Sequence, residues 1–149
     1  MNRTLSLLSA LVLASAAAAA PVDFTRDVRP ILSQHCFQCH GPDDRARKAG
    51  LRLDSRGAAT AKAKSGAVPV APGKLEQSEA WRRIVSVDAD EVMPPPTTKK
   101  PLSAAQKDIL KRWIAEGAEY KDHWSFVAPK QVAVPPITPG KWAKTPIDY

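Results

Sequence analysis

Two thiols and an imidazole fall within five residues of this chain: Cys36, Phe37, Gln38, Cys39, His40. The chain has no other cysteine. The spacing Cys-x-x-Cys-His is that of a c-type haem attachment site. Each residue in it has a chemical task. The two thiols add across the two vinyl groups of a haem and form thioether bonds. The two-residue gap lets one helical turn present both sulfurs to one porphyrin edge. His40 follows directly, so its imidazole ligates iron from the proximal side. Three other chemistries use such a pair. A structural zinc site needs four ligands, which here would mean Cys36, Cys39, His40 and the distant His123, with no second Cys-x-x-Cys or His-x-x-x-His half. A dithiol redox pair sits beside a βαβ pattern, which this sequence lacks. A disulfide between cysteines this close in sequence closes a strained loop. One covalent haem c per chain is the reading that uses all three residues.

The opposite side of the iron needs a second ligand. Met1 and Met93 are the only methionines, and Met93 lies in the run Glu91-Val92-Met93-Pro94-Pro95-Pro96. A thioether is a soft donor that favours ferrous iron and raises the potential. Pro94, Pro95 and Pro96 fix their backbone angles and carry no N–H to satisfy in a buried loop, which holds the sulfur at low entropic cost. The expectation is a His40/Met93 iron. His35 directly precedes the attachment site and does not reach the far haem face. His123 reads as an interface residue beside Trp124. Leu51, Leu53, Trp81 and Ile84 are the expected walls of the haem site; as generic core they would occupy the same places, because the haem is the core. Arg52 is the candidate partner of the haem propionates, since a guanidinium suits carboxylates; Arg56 or a Trp N–H would serve equally. No Ser/His/Asp set, carboxylate pair or phosphate loop supports independent catalysis. The expected function is therefore single-electron transfer, and the alternative is a haem enzyme or gas sensor with an open or displaceable sixth position.

These residues must be positioned by the elements around them. Phe24, Val28, Ile31 and Leu32 recur at helical spacing, which predicts a first helix from about Val28 into Cys36 with Asp27 as its N-cap and Pro30 in its first turn. Gly41-Pro42-Asp43-Asp44 is a turn. Residues 45–72 are irregular, with a short extended stretch at Gly50 to Asp54 and a helical turn at Ala58 to Ala63. A short helix is expected over Glu76 to Val85, then an extended polyproline segment through Pro96. Ser103 and Gln106 form a capping box that opens a helix from Ala104 to Glu116, ended by Gly117. The first and last helices each carry one apolar stripe, so they should pack together, with Trp113 or Ile114 against Phe24, Val28 or Ile31.

The N-terminus reads as an export signal. Arg3 supplies a positive start, Leu5 to Leu13 an apolar core, and Ala14 to Ala20 a small-residue run. Residues 1–19 are the expected signal peptide, cut after Ala18 or Ala19. Its apolar part is too short to span a bilayer, which takes about 20 residues. A periplasmic or otherwise exported protein without a stable membrane anchor is expected. Residues 21–126 are the expected haem domain and residues 127–149 a Pro-rich arm. A core of this size is marginal alone, and a covalent haem would staple it. The formal charge is +7, with basic residues scattered and not interleaved with aromatics. That gives no nucleic-acid footprint and is compatible with an acidic redox partner.

Helix, attachment site, loops, Met in a Pro-rich loop and an amphipathic last helix is the order of a small class I cytochrome c. The sequence resembles more closely the Planctomycete-type cytochrome C domain. The resemblance is carried by Phe24, Asp27-Val28, Pro30-Ile31-Leu32, Cys36, Cys39-His40-Gly41, Gly50-Leu51-Arg52-Leu53-Asp54, Pro72-Gly73, Ser78, Arg83-Ile84, Met93-Pro94-Pro95, Trp113-Ile114, Gly117-Ala118 and His123-Trp124. It covers about Phe24 to Phe126. It implies an all-α helical domain wrapped around one covalent haem, with irregular loops and an extended C-terminal arm. It also implies the front of a longer exported polypeptide, since Pro146-Ile147-Asp148-Tyr149 is similar to the opening of a following domain. The redox partner would then be a separate protein or that downstream domain.

Overall fold

The computed structural model describes residues 20–121, together with Ser125, Ala128, Pro129 and Thr145. The expected signal, His123, Trp124, the boundary near Phe126 and nearly all of the Pro-rich arm lie outside the described residues. Among the described residues the protein is helical and holds no strand, as an all-α domain should. A π turn at Phe24–Val28 leads into α1 (Arg29–His35), followed by α2 (Phe37–His40), α3 (Arg56–Thr60), α4 (Glu79–Ile84) and α5 (Ala104–Ala115). Single 3-10 turns lie at Leu75–Gln77 and Pro96–Thr98. No helix among the described residues is long and apolar enough to cross a membrane.

A π turn precedes the expected start of the first helix, and Pro30 follows it in the first turn of α1. A proline inside a regular helix has no N–H and its ring meets the carbonyl four residues back. Here the turn before it is widened: the Arg29 N–H bonds the Phe24 carbonyl, five residues back. Such a π turn opens the ladder where the ring needs room. The cap is accordingly Asp23, whose Oδ1 accepts from the Arg26 N–H at 3.0 Å. Asp27, the expected cap, lies inside the turn and accepts the Asp23 N–H at 2.9 Å.

This early start carries Phe24 into the core. Phe24, Val28, Leu110, Trp113 and Ile114 are all buried, and α5 packs on the Phe24–Val28 turn. The expected packing of the last helix on the first segment is present at this turn, with the Phe24 and Trp113 rings 5.9 Å apart. A third ring joins them that sequence reasoning did not single out. Tyr120 lies 4.5 Å from Phe24 and 5.2 Å from Trp113, centroid to centroid. The polar ends of this cluster are satisfied, as buried Trp and Tyr require: Trp113 Nε1 donates to the Glu119 carbonyl at 2.9 Å and the Tyr120 hydroxyl to the Leu53 carbonyl at 3.2 Å. Burial of that hydroxyl raises its pKa above the ordinary tyrosine value. α5 opens with both bonds of the predicted capping box, Gln106 N–H to Ser103 Oγ and Ser103 N–H to Gln106 Oε1. It ends at Gly117, whose φ of 109° belongs to the left-handed region that glycine tolerates.

Three middle segments depart from expectation. The helix expected over Glu76 to Val85 is divided at Ser78. The buried Ser78 hydroxyl accepts the Ala71 N–H at 2.9 Å and donates to the Lys74 carbonyl at 3.1 Å, which fixes a loop where a continuous helix would run. The helical turn expected at Ala58 to Ala63 is α3, beginning at Arg56. The Pro-rich segment is not an extended polyproline helix. The Met93–Pro94 peptide is cis, and Pro96–Thr98 closes a 3-10 turn.

Candidate haem site

The attachment residues occupy one turn at the end of the first helix. The Cys36 N–H still bonds Leu32 O at 2.8 Å, but Cys36 leaves helical geometry at φ −122°. The chain then re-enters a single turn, with the His40 N–H on Cys36 O at 2.8 Å and the Cys39 N–H on the same carbonyl at 3.1 Å. Cys36, Cys39 and His40 are thereby grouped, and both thiols are free. Burial pushes the Cys36 thiol up to about 12, with Cys39 adding to the shift. Gly41 must follow, because a Cβ there would lie 2.3 Å from the Phe37 carbonyl oxygen. The next loop is tied back onto this turn by Lys48 N–H to Cys39 O and Leu53 N–H to His40 O, both 2.8 Å.

His40 and Met93 line one cavity of about 440 Å³. Its walls include Leu51, Leu53, Pro69, Ala80 and Ile84. Sequence reasoning named His40, Met93, Leu51, Leu53 and Ile84, and the fold brings these five to one concave surface. Cys36 and Cys39 share the turn that carries His40 but are not among the lining residues. Trp81 and Arg52 are not among the lining residues. Trp81 packs against the core cluster, while Ala80 and Ile84 are the apolar α4 residues that line the cavity. Arg52 is engaged by Asp54, Nε to Oδ1 at 3.0 Å and Nη2 to Oδ2 at 2.6 Å; that pairing holds the Asp54 carboxyl below its usual value.

Three charged side chains that sequence reasoning did not name reach the cavity: Lys64, Glu79 and Arg83. A signal for two of them was present. Glu79 and Arg83 share the four-residue spacing of Ala80 and Ile84, so both pairs fall on adjoining rows of one short helix.

The His40 side chain has the chemistry of a ligand. Burial pushes its pKa below the ordinary histidine value, and the Lys48 main chain opposes part of that shift. The imidazole is therefore neutral at pH 7, the form with a lone pair to give. Its Nδ1 is buried, and no group stands in hydrogen-bonding position on it. Among the described residues no group of three or more His, Cys, Asp and Glu side chains is placed to hold a metal ion directly. A neutral imidazole and a thioether on one largely apolar cavity, with two free thiols beside the imidazole, is a donor set that fits a haem c.

No match emerges among curated proteins or among solved structures. Residues 36–97, from the first thiol to just past Met93, match the family model of Planctomycete cytochrome C, the family that the sequence resembles.

Proposed function

We propose that this chain is a single-electron carrier, with one haem c held covalently by Cys36 and Cys39 and its iron ligated by His40 and Met93. The observation that carries this reading is that His40 and Met93 line the same cavity, next to the turn that bears both thiols. When bound, the haem supplies a one-electron ferric/ferrous couple. The chain's own residues decide how that couple is used. Cys36 and Cys39 tether, and His40 offers a neutral nitrogen. Met93 offers a soft sulfur that stabilises the ferrous state. Leu51, Leu53 and Ile84 keep water from the site, which disfavours the more highly charged ferric form and raises the potential.

The absence of a catalytic constellation from the sequence favours a carrier over an enzyme, and a sulfur at the cavity wall favours a filled sixth position over a gas-binding one. Haem attachment outside the cytoplasm, with the N-terminal signal pattern, supports a periplasmic or otherwise exported location. A redox partner protein, or a following domain of the same polypeptide, would receive the electron. The test is spectroscopic. The ferric protein should show the weak far-red sulfur-to-iron band. Met93→Ala should abolish it, lower the reduction potential and let carbon monoxide bind the ferrous form readily. Ready carbon monoxide binding by the parent, with no such band, would favour the open-site alternative.

A further inference from the structure

The segment that bears Met93 is clamped to α4 by a group of charges on the outer surface. Arg82 spans two carboxylates: its Nε and Nη2 meet Glu79 Oε2 and Oε1 at 2.9 and 2.8 Å, and its Nη1 meets Glu91 Oε2 at 2.9 Å. Arg83 Nε donates to Glu79 Oε1 at 2.8 Å, and its Nη1 reaches the Glu91 carbonyl at 3.5 Å. One further bond continues the clamp, Met93 N–H to the Arg83 carbonyl at 3.0 Å. The carboxylate at the centre, Glu79, is held down to about 2, chiefly by Arg82. Inside the clamp, Glu79, Ala80, Arg83 and Ile84 of α4 face the same cavity as Met93.

Resting on the His40/Met93 reading, we propose that the Arg82–Glu91 pair is a latch that positions Met93, so that these two surface residues set how readily the thioether yields its place to another ligand. Arg82 and Glu91 do not touch the cavity; they act through the Glu91-Val92-Met93 main chain. The latch is exposed, with side-chain exposures of 51% and 42%, so it is weak, salt-sensitive and removable without unfolding the domain.

The test uses ferric holoprotein and imidazole as the competing ligand. Glu91→Gln and Arg82→Gln should each tighten apparent imidazole binding about two- to fivefold, the range expected for an exposed pair. The double variant should add little to either single one, as residues acting as a unit do. The gain should shrink in 1 M NaCl and vanish in a Met93→Ala background. Amide exchange at Met93, read without reference to the iron, should quicken in Glu91→Gln. Glu76→Gln, which removes an acid outside the network, should change none of these. If Met93→Ala tightens imidazole binding while Glu91→Gln and Arg82→Gln leave it and the Met93 amide unchanged, the latch is wrong and the ligation reading stands. If Met93→Ala itself leaves imidazole binding unchanged, the ligation reading fails and the latch fails with it.

Discussion

The aromatic junction and the haem cavity are built by opposite means. At the junction, Phe24, Trp113 and Tyr120 fill space with one another, and the Trp and Tyr polar atoms are bonded. At the cavity, short elements and loops surround a concave, mostly apolar space, and the buried Nδ1 of His40 has no partner. A junction of the first kind stabilises the chain by itself. A wall of the second kind would gain further stability from a group that fills it. Leu53 joins the two. Its side chain lines the cavity, its N–H bonds the His40 carbonyl and its own carbonyl takes the Tyr120 hydroxyl.

The largest effect should come from breaking the junction. Trp113 is 3% exposed, and Trp113→Ala should destabilise the domain by about 3–5 kcal/mol, the range for a large buried aromatic. It should do so with little change in reduction potential. Chemical denaturation and potentiometry on one preparation check both halves. A potential that moves as strongly as the stability would mean that the junction and the cavity are not separable.

Leu53→Ala tests the link. It should cost about 2–3 kcal/mol, the low end for a buried leucine, because part of its surroundings is cavity and not packed core. Unlike Trp113→Ala it should also shift the haem spectrum and lower the potential by admitting water. A pure stability loss would place Leu53 with the junction alone.

The smallest effect is one of pH. Asp27 beside the junction is held down to about 2, first by Arg26 and then by the Asp23 main chain. A carboxyl whose folded pKa lies below its unfolded value stabilises the fold above about pH 4 and loses that contribution as pH falls through about 2. Arg26 is 70% exposed, so solvent screens the pair and the loss is modest. Thermal melts between pH 5 and 2 should therefore be shallower for Asp27→Asn than for the parent. Parallel slopes would show that Asp27 carries no share of the acid sensitivity.

What the sequence disclosed follows the locality of the interactions. The attachment turn, the capping box at Ser103 and Gln106, and the pairing of Trp113 with Phe24 depend on short-range pattern or on one strong apolar stripe. What it did not disclose depends on contacts that apolar periodicity does not register, whether near in the chain or far. Pro30 falls in the first turn of α1 as expected, but nothing local signals the π turn ahead of it. Ser78 divides a helix through bonds to Ala71 and Lys74, which periodicity does not register. Tyr120 lies beyond the helix end, where no repeat points to the core. Arg52 was matched to propionates by its charge; the fold pairs it with Asp54, a local contact that apolar periodicity does not register. Trp81 was expected in the cavity wall, while its smaller neighbour Ala80 is the residue that lines it.

The central claim is that Cys36, Cys39 and His40 serve a covalent haem, and intact-mass measurement tests it most directly. Protein produced with haem-attachment machinery should be red, weigh one haem more than the chain, resist thiol alkylation at both cysteines and keep its colour through denaturing electrophoresis with reductant. A colourless chain of unmodified mass, with two alkylatable thiols or one bound zinc, would contradict the account.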